Sequence, residues 1–204
     1  MVRGVLIPGL IAGLLVTAVG AAAVSQAPTR SDADIAQRKV AAVLTHGAAK
    51  PAARAAAPVR TSFTERELNA YLQYNATAEL PAGVAAPHMS LPGDSMVAGE
   101  ATVDLDAVRR SRPRGMLDPL SYVTGSMQVT VSGLLRVTNG FATFQLDRAT
   151  IGGVPMPKSL LQELVAYYTK SADHPQGVEL DKPFPMPAAI RSVEIQRGAV
   201  IVVQ

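Results

Sequence analysis

The feature that most constrains the fold is a long alternation of apolar and polar residues from Val123 to Val137, followed closely by Asn139-Gly140. A period of two held over this length predicts a strand with one face toward apolar material and the other toward water. Asn-Gly is the strongest two-residue hairpin signal, because both residues tolerate the positive φ of a type I′ turn. The sequence therefore predicts a β-hairpin whose second strand begins at Phe141.

This turn determines which residues of the two strands face each other. Counting outward from it keeps apolar residues opposite apolar residues, so the apolar face continues across both strands. The expected pairs are Thr138 with Phe141, Val137 with Ala142, Leu135 with Phe144 and Gly133 with Leu146.

Farther from the turn, strict pairing would place Val131 opposite Arg148. One extra residue near Asp147-Arg148 restores the match, since it places Ala149 opposite Val131 and Ile151 opposite Val129. We therefore expect a β-bulge and a local bend at this point.

A proline-flanked helix is predicted after the hairpin, because Pro155 and Pro157 bracket its entry and proline is tolerated at the first helical position. Apolar residues then recur at helical spacing along one stripe: Leu160, Leu161, Leu164, Val165 and Tyr168. Two interpretations stay open. Either the helix covers one face of a curved sheet, or it leaves a groove that accepts an acyl chain.

Gly125 and Gly133 lie on the apolar face of the first predicted strand, where a missing side chain leaves room for curvature or for a group packed against the backbone. If a groove exists, its lining candidates come from both strands and from the helix: Met127, Val129, Val131, Leu135, Phe144, Leu146, Leu161, Leu164 and Tyr168.

Composition limits the classes of function. The 204 residues carry a net charge of +3 and show no basic stripe interleaved with aromatics, so we expect no nucleic-acid partner. The absence of cysteine excludes disulfides, iron–sulfur clusters, thiol nucleophiles and a lipoprotein acylation site. This composition fits an exported protein that is stabilised by its core without covalent cross-links.

The N-terminal third reads as a targeting region followed by a spacer. Arg3 precedes an uncharged, mostly apolar run from Gly4 to Val24, so residues 1–27 are predicted to be a signal peptide or an uncleaved membrane anchor forming an apolar helix. Residues 28–60 read as an alanine- and proline-rich linker. Ser31-Asp32-Ala33-Asp34 can start a short helix through Ile35, Val40 and Leu44, and the rest is predicted to be a flexible or semi-helical spacer. The remaining 62–204 are predicted to be one α+β domain outside the cytoplasm, in the periplasm or cell envelope.

The predicted domain opens with a capping box, because the Thr64 hydroxyl can accept from the amide of Glu67 while the Glu67 carboxylate accepts from that of Thr64. Phe63 and Leu68 form the accompanying hydrophobic staple. At the other end of the chain, residues 190–203 are predicted to be a hairpin that turns at Arg197-Gly198, preceded by an extended proline-rich segment at 181–187.

An alternating stretch from Val97 to Ala107 predicts a strand with Asp104 and Asp106 on its outward face. Two carboxylates at this spacing resemble a metal-binding pair, but the sequence places no third carboxylate or histidine near them. A solvated strand face is therefore the favoured interpretation. An enzyme would need the fold to gather polar residues that spacing does not connect: Asp104, Asp106, Asp118, His88 and His174. We expect no catalytic residue, no metal and no cofactor.

The densest cluster of charge is a predicted loop that contains four arginines beside apolar residues: Arg109, Arg110, Arg112 and Arg114. Two interpretations are open. The arginines lie on an anionic membrane surface, where each is worth about 1 kcal/mol, or the segment is a solvated loop partly paired with Asp104 and Asp106.

Two segments carry a family resemblance. Residues 62–72 (SFTERELNAYL) resemble the opening of YpmS-type membrane-anchored extracytoplasmic proteins. Residues 151–161 (IGGVPMPKSLL), followed by 180–184 and 190–193, are similar in layout to LmeA-like periplasmic lipid-binding proteins. The resemblance implies a tubular lipid-binding-like fold, in which a curved antiparallel sheet surrounds a long helix and leaves an apolar groove. It carries over no catalytic residue.

Together these observations lead to the hypothesis of an exported bacterial envelope protein that binds or passes lipid. The alternative is a non-enzymatic envelope scaffold with a fully packed core that binds another envelope protein. A continuous apolar cavity between the helix and the sheet would favour the first, and a dry, interdigitated interior would favour the second.

Overall fold

The computed structural model describes residues 27–49, 57–78, 80, 82–110, 124–169, 176, 179 and 181–204. Over these residues the chain is an α+β protein with one open antiparallel sheet and a few helices. The helices are α1 (Arg30–Ala48), α2 (Glu65–Tyr74), α3 (Leu105–Arg110) and α4 (Lys158–Thr169). The strands are β1 (Arg60–Thr64), β2 (Val84–Gly93), β3 (Met96–Asp104), β4 (Ser126–Thr138), β5 (Phe141–Ile151), β6 (Val154–Pro155), β7 (Phe184–Pro185), β8 (Ser192–Gln196) and β9 (Ala199–Val203).

The sheet is organised around β4. One edge of β4 pairs with β5, and the opposite edge is shared between β3 and, at Val137, β8. Two antiparallel branches therefore leave the same edge of β4: β3 followed by β2, and β8 followed by β9 and β1. The branches meet again where the amide of Gly198 donates to the carbonyl of Leu91 at 2.8 Å. The short strands β6 and β7 pair with β5.

The predicted central hairpin and its bulge are confirmed. Asn139 and Gly140 both have positive φ, 52° and 80°, and the pairs expected on either side of the turn are present. The register shifts between Ser132 and Gly133, so that Asp147 is the extra residue and Val131 faces Ala149. The turn chemistry and the apolar pattern were therefore sufficient to predict the pairing of both strands.

The capping box at the start of α2 is also confirmed. The Glu67 amide donates to the Thr64 hydroxyl at 3.1 Å, and the Thr64 amide donates to the Glu67 carboxylate at 2.9 Å. Phe63 and Leu68 belong to the same apolar cluster, as a hydrophobic staple requires. The predicted terminal hairpin is present as β8 and β9, with Val193 opposite Val202 and Ile195 opposite Val200.

The main difference from the sequence analysis concerns residues that were predicted to be linker. α1 occupies Arg30–Ala48 and begins with its own capping box at Thr29. Val43 of α1 belongs to the buried core with residues from the sheet and its loops: Phe63, Val137, Ala142 and Ile190. The side-chain amide of Gln204 also donates to the carbonyls of Val43 and Ala188, at 2.8 and 2.6 Å. Most of the predicted spacer is thus a helix packed on the sheet.

The predicted strand through Ala107 is too long. β3 ends at Asp104, and α3 begins at Leu105, which is buried. The Asp104 carboxylate accepts from the amides of Asp106 and Ala107, at 2.9 and 3.0 Å. This is an N-terminal cap, and it explains why the alternation is not continued as a strand.

β2 is longer than expected, and the proline-rich segment is extended only at its centre, with turns on either side. The predicted strand at residues 88–91 is part of a ten-residue strand that turns at Asp94 and Ser95, both with positive φ. Phe184 and Pro185 form β7 at the margin of the sheet, where proline's missing amide costs no central hydrogen bond.

The predicted export segment lies outside the described residues, apart from Ala27. Of the helices in the described ranges, none has both the length and the hydropathy needed to cross a membrane.

Candidate functional site

Six of the nine predicted lining residues lie on β4 and β5, on a shared apolar face. Cross-strand partners project to the same side of a sheet, and Val129 lies between Ala101 of β3 and Ile151 of β5. Met127, Val129, Val131, Phe144 and Leu146 are half-buried, and none of them belongs to the buried core. Leu135 differs, because it packs against the core cluster. The apolar face thus extends beyond the region that the core uses.

Phe144 occupies the space that the sequence left open at Gly133. A Cβ added to Gly133 would lie 2.5 Å from both Phe144 Cζ and the Gln145 carbonyl oxygen. The aromatic ring of β5 therefore packs on the bare backbone of β4, and no guest is needed there. Gly125 precedes β4 at φ +85°, so it forms part of the strand entry, and the prediction that it lies on the apolar face of the strand is wrong.

The helix predicted beside this face is present as α4 and approaches β5. Leu161 and Val165 are half-buried, while Leu160 is 41% exposed. The backbone of Leu164 and Tyr168 is helical, but their side chains lie outside the described part of the structure. Lys158 forms a 2.7 Å ion pair with Asp181 at the first turn of the helix.

An apolar pocket of about 440 Å³ lies between α2 and β2. Its wall combines apolar and small residues with a few polar ones, namely Pro28, Asn69, Leu72, Gln73, Thr77, Leu80, Val84, Ala85, Ala86, Pro87 and His88. Asn69 ties the two elements together, since its amide exchanges two hydrogen bonds of 2.7 Å with the backbone of Met89. No sequence pattern predicted this pocket. Apart from Pro28 its residues are close together in the chain, but the end of α2 and the irregular start of β2 carry no periodic signal for a cavity.

A second depression of about 360 Å³ lies on the opposite, polar face of β2, β3, β4 and β5. It is bordered by His88, Ser90, Glu100, Thr130, Ser132 and Arg148, among others, and Val131 is the one predicted lining residue that contributes to it. His88 Nδ1 lies 3.9 Å from Glu100 Oε1, and Thr130 and Thr150 share a 2.7 Å hydrogen bond. Its wall mixes these polar side chains with three small or apolar residues, Ala98, Gly99 and Val131.

Two of the candidates for catalysis or metal binding, Asp104 and Asp106, accept hydrogen bonds from backbone amides. Asp104 caps α3, and the Asp106 carboxylate accepts from the amide of Gly125 at 2.9 Å. Asp118 and His174 lie outside the described residues. Within the described ranges, no group of three or more His, Asp or Glu residues has a geometry that suits a metal ion.

The arginine cluster is only partly described. Arg109 and Arg110 were predicted to lie in a loop, but they form the last two residues of α3. The Arg110 side chain is exposed, and it lies 3.8 Å from the Asp104 carboxylate, the pairing expected for the solvated interpretation. The side chain of Arg109, and Arg112 and Arg114 altogether, lie outside the described residues.

Two ion pairs connect α1 to α2. Lys39 Nζ contacts both oxygens of Glu67 at 2.7 Å, and Arg66 contacts Asp32 at 2.8 Å. Burial alone would raise the pKa of Glu67, but hydrogen bonds from Lys39 and Thr64 outweigh it and hold that pKa below its ordinary value. Hydrogen bonds from Thr29 and Arg66 likewise lower the pKa of Asp32.

Comparisons with known proteins do not indicate a function, so a function has to be proposed from the geometry of the fold and its pockets. No protein-family model matches the chain, no curated protein is significantly similar to it, and no solved structure shares its fold at a significant level.

Proposed function

We propose that this chain is an exported bacterial envelope protein that binds or passes lipid through an apolar groove between its curved sheet and helix α4. One observation carries the proposal. The apolar residues of β3, β4 and β5 align on one face, yet the part of that face around Met127 and Val129 stays half-buried and outside the core.

Burial energetics support this assignment. Burying apolar surface is worth about 25 cal/mol per Å², so a half-buried apolar face retains free energy that a hydrocarbon guest can recover. Among the described residues, no large side chain is completely buried, which is consistent with a core that does not consume the sheet's apolar surface. A tubular lipid-binding-like arrangement of the sheet around α4, with the N-terminal segment as signal or anchor, forms part of the same proposal.

A second candidate function is an envelope scaffold that binds another protein. Phe141 and Phe184, near the turn of the central hairpin, are 54% and 41% exposed. Exposed aromatic residues of this kind are enriched at protein interfaces. The packing of Phe144 on Gly133 also reduces the space available to a guest.

Displacement of a fluorescent fatty-acid probe from the full chain tests the lipid proposal. Met127→Gln combined with Val129→Thr adds polarity to the apolar face with little change in volume. Loss of two apolar contacts, at about 0.8 kcal/mol each, predicts binding weaker by about tenfold.

The matched control is Thr102→Val, an exposed β3 residue on the opposite face, which leaves probe binding unchanged. A wild-type chain that does not bind the probe, or a double variant that binds as the wild type does, would contradict the proposal.

A further inference from the structure

We propose that the pocket between α2 and β2 holds one acyl chain of an anionic membrane lipid. This inference rests on the proposed lipid-binding function and deepens it, because it places a ligand site away from the α4 groove and assigns it a headgroup charge.

The size and lining of the pocket suit a hydrocarbon chain. Its volume of about 440 Å³ falls within the range of roughly 300–1,000 Å³ that is usual for small-ligand sites. Leu72, Leu80 and Val84 supply apolar wall, and all three are half-buried. The polar group of Asn69 is already satisfied by Met89 and by the Glu65 carbonyl, so it does not demand a polar ligand.

The backbone of β2 is distorted where it borders the pocket. The register with β3 shifts between Ala85 and His88, and Ala86 has a φ of 47°. A φ of this sign places Ala86 in the left-handed region of backbone conformation, which costs free energy for any residue other than glycine. Bulges and strained backbone of this kind are concentrated at ligand sites. The shift interrupts the regular pairing of β2 at the residues that form the pocket wall, namely Ala85, Ala86 and Pro87.

The position of Pro28 identifies the occupant. Pro28 is both part of the pocket wall and among the first described residues, and the uncharged run Gly4–Val24 ends only four residues earlier. Four residues span at most about 14 Å. If that run is a membrane anchor, Pro28 lies within about 14 Å of its end, and the nearest hydrocarbon outside the protein is a lipid chain.

Arg30 indicates the headgroup charge. Its guanidinium lies 5.0 Å from the ring centre of Tyr74, whose hydroxyl donates to the Pro28 carbonyl at 3.5 Å. Among the described residues, Arg30 forms no ion pair with a carboxylate. A cation that has no carboxylate partner in the described part of the chain, and that is linked through Tyr74 to the pocket wall, favours an anionic headgroup at the membrane surface.

The chain contains no tryptophan, so a single introduced one reports on its own surroundings. Gln73→Trp places a fluorophore at the exposed rim of the pocket, and Gln145→Trp on β5 is the matched control. The full chain is reconstituted into nanodiscs of phosphatidylcholine and phosphatidylglycerol whose acyl chains are brominated, because bromine quenches fluorescence on contact. Met127→Trp reports on the face proposed above.

We expect strong quenching for Gln73→Trp and little for Gln145→Trp. Adding Ala85→Phe, which fills the pocket, reduces the quenching of Gln73→Trp by at least half. Arg30→Gln lowers the preference for phosphatidylglycerol over phosphatidylcholine about fivefold, the effect of one cation at an anionic surface.

The alternative outcomes separate this inference from the proposal on which it rests. Quenching of Met127→Trp alone overturns the pocket assignment and leaves lipid binding at the α4 face. No quenching at either position contradicts both. Emission from Gln73→Trp that is apolar in character but insensitive to bromine overturns the inference, because the chain's own N-terminal segment would then fill the pocket. An unchanged lipid preference in Arg30→Gln overturns the headgroup assignment.

Discussion

Asn69 of α2 and Met89 of β2 are joined as two neighbouring strands would be: the side-chain amide of Asn69 donates to the Met89 carbonyl, and the Met89 amide donates to Asn69 Oδ1, both at 2.7 Å. Two residues farther along, the Leu91 amide donates to Glu65 Oε2 at 2.6 Å. One turn of helix thus covers the edge of β2 that does not face β3 at Met89 and Leu91, and Gly198 adds a hydrogen bond to the Leu91 carbonyl. Edge strands left unpaired promote association with other chains, so this contact protects the sheet and also supports the wall of the α2–β2 pocket.

Replacing Asn69 with aspartate tests this contact. The carboxylate still accepts from the Met89 amide but can no longer donate to the carbonyls of Met89 and Glu65. Because Asn69 is buried, the lost bonds and the added charge predict a loss of about 3 kcal/mol in the free energy of unfolding. Denaturant titration measures it.

Asn75→Asp is the control, since the Asn75 amide bonds to Gln37 at the surface, and it costs less than about 1 kcal/mol. Equal costs for the two variants would show that the contact between Asn69 and Met89 is not specially stabilising.

Gly133→Ala is expected to destabilise the central hairpin. The added Cβ overlaps the Phe144 ring and the Gln145 carbonyl, and overpacking of this kind costs about 1–3 kcal/mol. Gly99→Ala on the adjacent strand is the matched control, because its Cβ would meet only the His88 carbonyl, at 3.8 Å. That variant is expected to be neutral or slightly stabilising. Thermal unfolding followed by circular dichroism distinguishes them, and similar melting temperatures would contradict the packing described for Phe144.

The packing of α1 on the sheet is tested by two adjacent residues. Val43 is buried in the core and Leu44 is 55% exposed. We expect Val43→Ala to cost about 2 kcal/mol of unfolding free energy, and Leu44→Ala, which removes more hydrocarbon, to cost less than about 0.5 kcal/mol. The reverse order would mean that α1 does not contact the core as described, and that residues 30–48 act as the spacer suggested by their composition.

Stability should fall with acidity through the ion pairs between α1 and α2. Glu67 and Asp32 have pKa values below their ordinary 4.5 and 3.8, so both contribute stability at neutral pH that is lost as the pH falls below about 4.5. Glu67→Gln reduces the slope of unfolding free energy against pH in this window. A slope that Glu67→Gln does not alter would show that its carboxylate is not held by Lys39 in solution.

The elements that sequence reasoning predicted are those with strong local signals. Asn139-Gly140, the alternating face of β4 and the Thr64 capping box each determine their own geometry, and the displaced pairing at Asp147 follows from matching apolar residues. Asp104 could have been recognised as a helix cap, since aspartate at the end of an alternating run is a common start of a helix. The continuing alternation through Ala107 concealed it.

The packing role of α1 had no comparable signal. It packs closely through alanines, with Ala33 and Ala36 almost completely buried, as is Ala70 of α2. Small residues permit close approach of two helices but produce little amphipathic contrast, so the segment resembles low-complexity spacer. The α2–β2 pocket was missed for another reason: it depends on the bulge near Ala86 and on a buried Asn69, and only the bulge geometry brings these residues together.

Lipid binding is tested most directly by native mass spectrometry of the full chain purified from its own membranes in mild detergent. We expect a bound lipid, with anionic species enriched over their share of the membrane, and less bound lipid in the Met127→Gln, Val129→Thr double variant. A wild-type chain that carries no lipid under conditions that preserve its fold would contradict lipid binding and favour the envelope scaffold.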